Sequence, residues 1–451
     1  MYKKICTGFF LLAFLFYLMS IPFSATWISV TLNILSLLCI ILSLPRLRGL
    51  MLYISLTFLL LGIVITIVDQ KNFIHLFSYF SNMVDVITLI ALVPLLTLPV
   101  KLSGYAVSIE QLSMRRIKKS RQFFSFTQVL AFIAGSVIHM SSMNMTHTLV
   151  KESSVKMNIP DKFMGLAIIQ GYSLSMLFSP LGAGFSQMVD YTGVKFTHAF
   201  LFGLGLSILG LILGQLLDRK RLNQIPFQLQ HSQDENISYK YILWLCIPIT
   251  IYVITIILLN ETTHLSMIYL TSILSIPFSY VWSVLLKKRK GYFREVSSYI
   301  EKDLSNLFGT FALMLSAGFF IGVLESSSLF DYITEGLIWL ANYLNPSLLV
   351  SIFMLIIILF SLMGMHPLVA NIIVLHIVNP STIGVHPVLW GGSLLVAMVI
   401  GVMVCPFNGT TSIISSLVGS TPLKVAKWNS VFGVYYFLLM SLIVFITVNL
   451  F

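Results

Sequence analysis

Cys405-Pro406-Phe407-Asn408-Gly409-Thr410-Thr411-Ser412 interrupts an apolar stretch that would otherwise read as one long membrane helix. Proline removes an amide donor and clashes with the preceding turn, and glycine forfeits helix propensity, so the helix breaks here. The passage has an earlier counterpart, Ser179-Pro180-Leu181-Gly182-Ala183-Gly184-Phe185-Ser186. At a constant offset of 226 residues Gly165 pairs with Gly391, Pro180 with Pro406, Ser186 with Ser412 and Gly193 with Gly419. Upstream, at an offset of 227, His139 pairs with His366 and Asn144 with Asn371. A duplicated pair of Gly/Pro-interrupted apolar segments is the sequence mark of a midplane binding site in a secondary transporter.

Composition agrees with a membrane protein. The chain is 57% hydrophobic and 10% charged, whereas a soluble domain carries about 25% charged residues. The formal charge of +11 sits in a few loops between apolar runs, so it reports topology by the positive-inside rule and gives no reason to expect nucleic acid. Cys6, Cys39, Cys246 and Cys405 lie in or beside apolar runs without metal-ligand spacing, and neither a metal nor a cofactor is expected. Lys3 and Lys4 followed by an apolar run to Ser24-Ala25 also fit a secretory signal peptide. A second apolar run follows at once, and the segment is kept as the first span.

At about 20 residues per crossing, helices are expected at 5–23, 26–44, 49–68, 84–100, 163–190, 196–217, 241–259, 265–286, 304–324, 388–418 and 430–450, with a polar loop at 149–162. If 123–148 crossed fully, the basic residues Arg115, Arg116, Lys118 and Lys119 and the run Arg219-Lys220-Arg221 would fall on opposite sides. Reading 123–148 and 347–378 as re-entrant hairpins places these with Lys3, Arg46, Arg48, Lys287, Lys424 and Lys427 on the inside. The expected fold is all-α: eleven transmembrane helices plus two re-entrant hairpins. Equivalent positions are separated by an odd number of crossings, which makes the duplication an inverted repeat.

The divisions are 1–100 (helices 1–4), 101–121 (basic arm), 122–217 (inner hairpin, broken helix 5, helix 6), 218–240 (cytoplasmic linker), 241–324 (helices 7–9), 325–346 (second arm) and 347–451 (outer hairpin, broken helix 10, helix 11). The N-terminus is expected inside and the C-terminus outside the cytoplasmic membrane.

Re-entrant backbone survives only where it is buried or lines a polar cavity, so tips and breaks should converge. The candidate binding residues are His139, Ser141, Ser142 and Asn144 at one tip, His366 and Asn371 at the other, Ser179, Gly182, Gly184 and Ser186 at the first break, and Asn408, Gly409, Thr410, Thr411 and Ser412 at the second. Hydroxyls and unwound carbonyls suit a bare cation, making Asn408, Thr410 and Thr411 candidate sodium ligands, and half-helix N-termini suit an anion. Imidazole adds a group that titrates near neutral pH. Asp190 reads as a solvated boundary carboxylate, Asp69 and Asp85 as boundary groups, Glu325, Asp331 and Glu335 as members of a surface helix, and His147 and His376 as hairpin ends.

Asn408-Gly409-Thr410-Thr411-Ser412 followed by Gly419-Ser420-Thr421-Pro422 resembles the ion transporter superfamily, most closely the divalent anion/sodium symporters that carry dicarboxylates. Their broken helix has Gly-Gly-Thr and then Gly-Thr-Pro-Pro, and this chain is similar at Gly409, Thr410, Gly419, Thr421 and Pro422. Where that family has Ser-Asn-Thr at its tips, this chain has His139-Met140-Ser141 and Met365-His366-Pro367. The resemblance implies a homodimer in which a static scaffold carries a mobile, elevator-type transport domain. The expected function is ion-coupled transport of a small carboxylate-type anion, with sodium or proton as coupling ion. A sodium/proton antiporter, an inorganic oxyanion exporter, and a non-transporting scaffold or lipid-processing protein are the alternatives. No acid, base and metal-ligand constellation suggests an enzyme.

Overall fold

The computed structural model describes residues 2–47, 49–70, 76–103, 117, 119–225 and 240–450, with side chains from 247 in the last segment. Most of the basic arm, including Arg115, Arg116 and Lys118, most of the 218–240 linker, Arg48 and the Cys246 side chain lie outside the described residues. Among the described residues, ten helical stretches are long and apolar enough to cross a membrane.

One group of helices comprises α1 (Tyr2–Ser20), α2 (Thr26–Ser43), α3 (Leu50–Val68), α4 (Val84–Leu92) with its continuation α5 (Thr97–Ser103), α11 (Lys240–Thr263), α12 (Met267–Leu285), α13 (Arg289–Ser298), α14 (Phe308–Glu325) and α15 (Ser328–Tyr343). α14 is its centre, buried along most of its length against α3 and α2. Stacked rings lock it: Phe308 on Phe10 at 4.6 Å, Phe319 on Phe80 at 4.4 Å and Phe320 on Phe58 at 5.4 Å between centroids. Lipid tails are as apolar as these side chains, so dispersion and shape fit, rather than exclusion of water, hold such a bundle together.

The second group is α6 (Ser120–Ile138), α7 (Ser141–Lys156), α8 (Asp161–Ser175), α9 (Ala183–Thr192), α10 (Phe196–Leu217), α16 (Pro346–Leu362), α17 (Pro367–Ile377), α18 (Pro387–Val404), α19 (Gly409–Leu417) and α20 (Pro422–Leu450). Their starts repeat at one spacing: Ser120 and Pro346, Ser141 and Pro367, Asp161 and Pro387, Ala183 and Gly409, and Phe196 and Pro422 are each 226 residues apart. The duplication seen in a few letters therefore extends over five helices. The stops repeat as well. Gly193 (φ 64°) ends α9 and Gly419 (φ 59°) follows α19, both in the left-handed region where glycine is the low-cost choice. Ser420 N–H reaches back to Ser415 C=O at 2.9 Å, closing the second helix with a Schellman turn.

The structure revises several expectations. α6, expected as part of a re-entrant hairpin, is by itself long and apolar enough to cross. The loop expected at 149–162 is helical to Lys156. Its Ser, Thr and Lys residues have no apolar period, and burial of Thr146, Leu149, Val150 and Ser153 by neighbouring helices decides its conformation. Glu325 ends α14 and is not part of the surface helix α15.

Candidate functional site

Four interruptions lie in the second group. α6 turns back into α7 at His139-Met140, and α16 into α17 at residues 363–366. α8 resumes as α9 after residues 176–182, and α18 as α19 after residues 405–408. Contacts join them in pairs. Ser179 Oγ donates to Ser136 C=O at 2.8 Å, tying the first break to the first tip. A Cβ added at Gly182 would lie 3.9 Å from His139 Nε2, and one added at Gly409 would lie 3.1 Å from Met140 Cε, so the first tip touches both breaks. A Cβ at Gly364 would lie 3.5 Å from Phe407, and one at Gly401 3.2 Å from Pro367, which seats the second tip on the second break. The return arms cross over: α7 packs on α19, and α9 on α17.

The two half-sites differ in what remains open. Asn408 caps α19: its Oδ1 accepts from Thr411 N–H at 2.9 Å and its Nδ2 donates to Val402 C=O at 2.7 Å. Thr411 Oγ1 reaches Cys405 C=O at 2.8 Å, and Ser412 Oγ donates to Asn408 C=O at 2.8 Å. The second break is thus stitched to itself, and its Asn408 and Thr411 side chains act first as braces. His366 likewise caps α17, Nδ1 accepting from Leu368 N–H at 3.3 Å. By contrast, α7 and α9 have no side-chain cap: in α7 the Ser142 and Met143 N–H groups bond the His139 and Met140 carbonyls at 2.9 and 3.3 Å, while the leading amides of α9 remain donors. In the first break Ser186 Oγ is engaged with Pro180 C=O at 2.7 Å.

The paired histidines are not conformational equivalents. His139 has φ 51° and lies 3.4 Å from the Tyr172 hydroxyl through Nδ1, whereas His366 is extended. Their asparagines differ more. Asn144 is exposed, while Asn371 is fully buried with neither Nδ2 nor Oδ1 hydrogen-bonded. Ser142 Oγ, on the first turn of α7, is also fully buried without a partner. Gly182 and Gly184 are buried, Thr410 is nearly so, Ser141 is half-buried, and Gly409 and Ser412 are exposed.

Replacing Asn408 by Ala should remove the cap and the bonds to Thr411 and Val402. We expect a loss of about 1–2 kcal/mol in reversible unfolding, from the cap alone. An unchanged unfolding midpoint in detergent would refute the bracing role.

Openness is one-sided. Asn144 and Thr148 on α7 and Gly409, Ser412 and Ser416 on α19 form exposed polar stripes, with Lys151 further along α7. α9 from Ala183 to Val189 and α17 from Pro367 to Leu375 are buried throughout.

Polar groups outside the expected set also matter. Gln128 donates to Gln170 at 3.0 Å and accepts from Gln215 at 3.4 Å, a neutral chain joining α6, α8 and α10. Glutamines inside apolar runs were the legible signal for it. Asp190 is no solvated boundary group. Its two carboxylate oxygens accept from Met267 and Ile268 N–H at 2.8 and 3.1 Å, which caps α12. Asp69 accepts from Ser328 N–H at 2.9 Å at the start of α15. His376 does more than end its hairpin, pairing with Glu325 at 2.6 Å. No group of three or more metal-ligating side chains occurs among the described residues.

This is the fold of known membrane transporters. The chain matches the crystal structure of the YdaH transporter of Alcanivorax borkumensis with a TM-score of 0.57 at 15% identity, over 88% of this chain and 96% of that one. It matches MtrF of Neisseria gonorrhoeae, described as illuminating a class of antimetabolite efflux pumps, with a TM-score of 0.51 at 12% identity over 81% and 80% of the two chains. At these identities the likeness is one of fold. No family model and no curated protein sequence matches the chain.

Proposed function

We propose that this chain is a secondary carrier of a small carboxylate-type organic anion, working as an ion-coupled elevator in the cytoplasmic membrane with the N-terminus inside. The observation that carries it is the meeting of two tips and two breaks in a region without a single Lys, Arg, Asp or Glu in 136–144, 175–187, 361–371 or 402–412. Four helices, α7, α9, α17 and α19, begin there. Each N-terminus carries about +0.5 elementary charge, and the first amides of α9, which has no side-chain cap, are free to donate to an anionic group. The C-termini of α6, α8, α16 and α18 end at the same place, offering carbonyls to a cation such as sodium. No carboxylate at the convergence favours the cation antiporter.

The exposed polar stripes of α7 and α19 support a water-filled approach from the basic end, because such side chains are costly against lipid. The opposite end is packed shut, as one state of alternating access requires. The 226-residue repeat of helix starts supports two related halves, and the charge pattern supports their inversion. The homodimer belongs to the same proposal and rests on the family resemblance.

The test is thermal unfolding of the purified protein with mono-, di- and tricarboxylates, amino acids and inorganic oxyanions, each in sodium or potassium at two pH values. A ligand at a hundredfold its dissociation constant should add about 2.7 kcal/mol, and the same ligand should drive flux in proteoliposomes, measured in both directions because MtrF is described as an efflux pump. Response to oxyanions alone would establish the exporter alternative. Response to sodium or pH without any anion would establish the antiporter. Binding without flux would overturn the carrier.

A further inference from the structure

The first tip holds its histidine in a backbone conformation unfavourable to it. His139 has φ 51° and ψ −135°, a region where glycine is the low-cost residue and a larger one is strained. What fixes the side chain comes from α8. Gly135 lets that helix approach α6 closely, since a Cβ there would lie 3.2 Å from the Tyr172 Cα. The Tyr172 hydroxyl lies 3.4 Å from His139 Nδ1, with the two rings edge-on at 77°. Tyr172 is 1% exposed, and its hydroxyl has no other hydrogen-bond partner among the described residues. A buried phenol is satisfied by donating its proton, which would otherwise be left unpaired. Nδ1 is then the acceptor, and the imidazole proton sits on Nε2. That nitrogen faces the first break: it lies 3.9 Å from the position a Cβ would take on Gly182, the N-cap of α9.

We infer that Tyr172 is a positioning residue that fixes His139 as a neutral imidazole with its Nε2–H turned to the first break, an uncharged donor that does not titrate. The inference rests on the carrier reading and deepens it: here the anion meets a hydrogen bond and no counter-charge, and this histidine carries no coupling proton. His366 is fixed to the same end by a different device. Its Nδ1 accepts from Leu368 N–H at 3.3 Å, which an imidazolium cannot do, so its proton also sits on Nε2. Protonating His139 would break the Tyr172 bond and place a cation beside the positive N-terminus of α9. No facing group offsets that. Arg121 stands at the opposite end of α6, His147, Lys151, Glu152 and Lys156 begin two turns along α7, Asp161 and Lys162 start α8, and α10 has His198. Residues 93–96, 176–182 and α19 have no ionisable side chain. Around His366, α16 and α18 have none, Cys405 is in the second break and Tyr53 is on α3. Asp190, Glu325, Asp331 and Glu335 belong to α9, α14 and α15 at the His376 end of α17.

The experiment is solid-state NMR of the full chain with isotope-labelled imidazole nitrogens, in lipid bilayers at pH 8 and pH 5.5. A neutral ring gives one bare and one protonated nitrogen signal, well apart, whereas an imidazolium gives two close together. Each ring is assigned by the signals lost in His139→Gln and in His366→Asn, the latter keeping an oxygen that can cap α17. Both rings should show the Nε2–H tautomer at both pH values, with less than about a tenth as imidazolium at pH 5.5. Tyr172→Phe should shift the bare Nδ1 signal of His139 and admit the other tautomer, with His366 unmoved. Imidazolium at pH 5.5, an Nδ1–H tautomer, or a His139 spectrum indifferent to Tyr172→Phe would overturn the inference. If Tyr172→Phe fails to fold, the tautomers of the unaltered chain decide, and His139→Asn replaces His139→Gln for assignment if that variant fails. In thermal unfolding with the mono-, di- and tricarboxylates, His139→Gln, whose amide also donates, should keep most of the carboxylate-induced rise, and His139→Leu should lose most of it. Equal behaviour of these two variants would overturn the donor role. The expected tautomers without any carboxylate effect on the unaltered chain would overturn the carrier reading alone.

Discussion

Asn371→Leu should make the unliganded protein more stable and eliminate its response to ligand. Asn371 sits on the second turn of α17, fully buried, with its amide nitrogen and oxygen both unpaired. An unsatisfied buried polar group costs about 1–3 kcal/mol, and leucine has the same number and branching of side-chain heavy atoms though bulkier ends, so the substitution should recover part of that amount. A residue kept only for packing would not be an asparagine here. The expected pair of results is a higher unfolding midpoint without ligand and no ligand-induced rise at any concentration. A destabilised protein would mean that the amide already has a structural partner. A more stable protein that still answers to ligand would remove Asn371 from the site. Asn144→Leu is the contrast: this residue is exposed, and no comparable gain in stability is expected.

Gly203→Ala should damage the fold, whereas Gly205→Ala, two residues along the same helix, should not. A Cβ at Gly203 would lie 2.1 Å from Leu177 C=O and 3.3 Å from the Phe178 Cα, which are backbone atoms of the first break. Backbone cannot rotate aside as a side chain can, so α10 would have to move off the break. Overpacking of this kind costs about 1–3 kcal/mol or more. A Cβ at Gly205 meets nothing within 4 Å, and alanine there should be neutral or slightly stabilising through helix propensity. Monodispersity and unfolding temperature check both. Equal behaviour of the two variants would show that α10 does not need to approach the break closely. Because the clash falls on the break, a folded fraction of Gly203→Ala should also bind ligand weakly.

The breaks and tips were legible because Pro, Gly, Asn and His are out of place in apolar runs. Their repetition, at 226 residues for the breaks and 227 for the tips, pointed to two related halves. The α7 helix was illegible for the opposite reason: a helix rich in Ser, Thr, Lys and Glu leaves no periodic trace when its burial is supplied by partners distant in sequence. Asp190 and His376 were misjudged because a carboxylate or imidazole near a helix end has the same local sequence whether it meets water or another helix.

Local chemistry along the chain therefore determined a multi-pass helical protein with duplicated, interrupted segments, since apolar length and helix-breaking residues act within a few turns. The tertiary structure decided which interruptions meet, that Asn408 and His366 are spent on capping while the N-terminus of α9 is left without a side-chain cap, and that Asp190 and His376 meet other helices. Those outcomes depend on distances between helices up to hundreds of residues apart in sequence, which packing sets and no local pattern encodes.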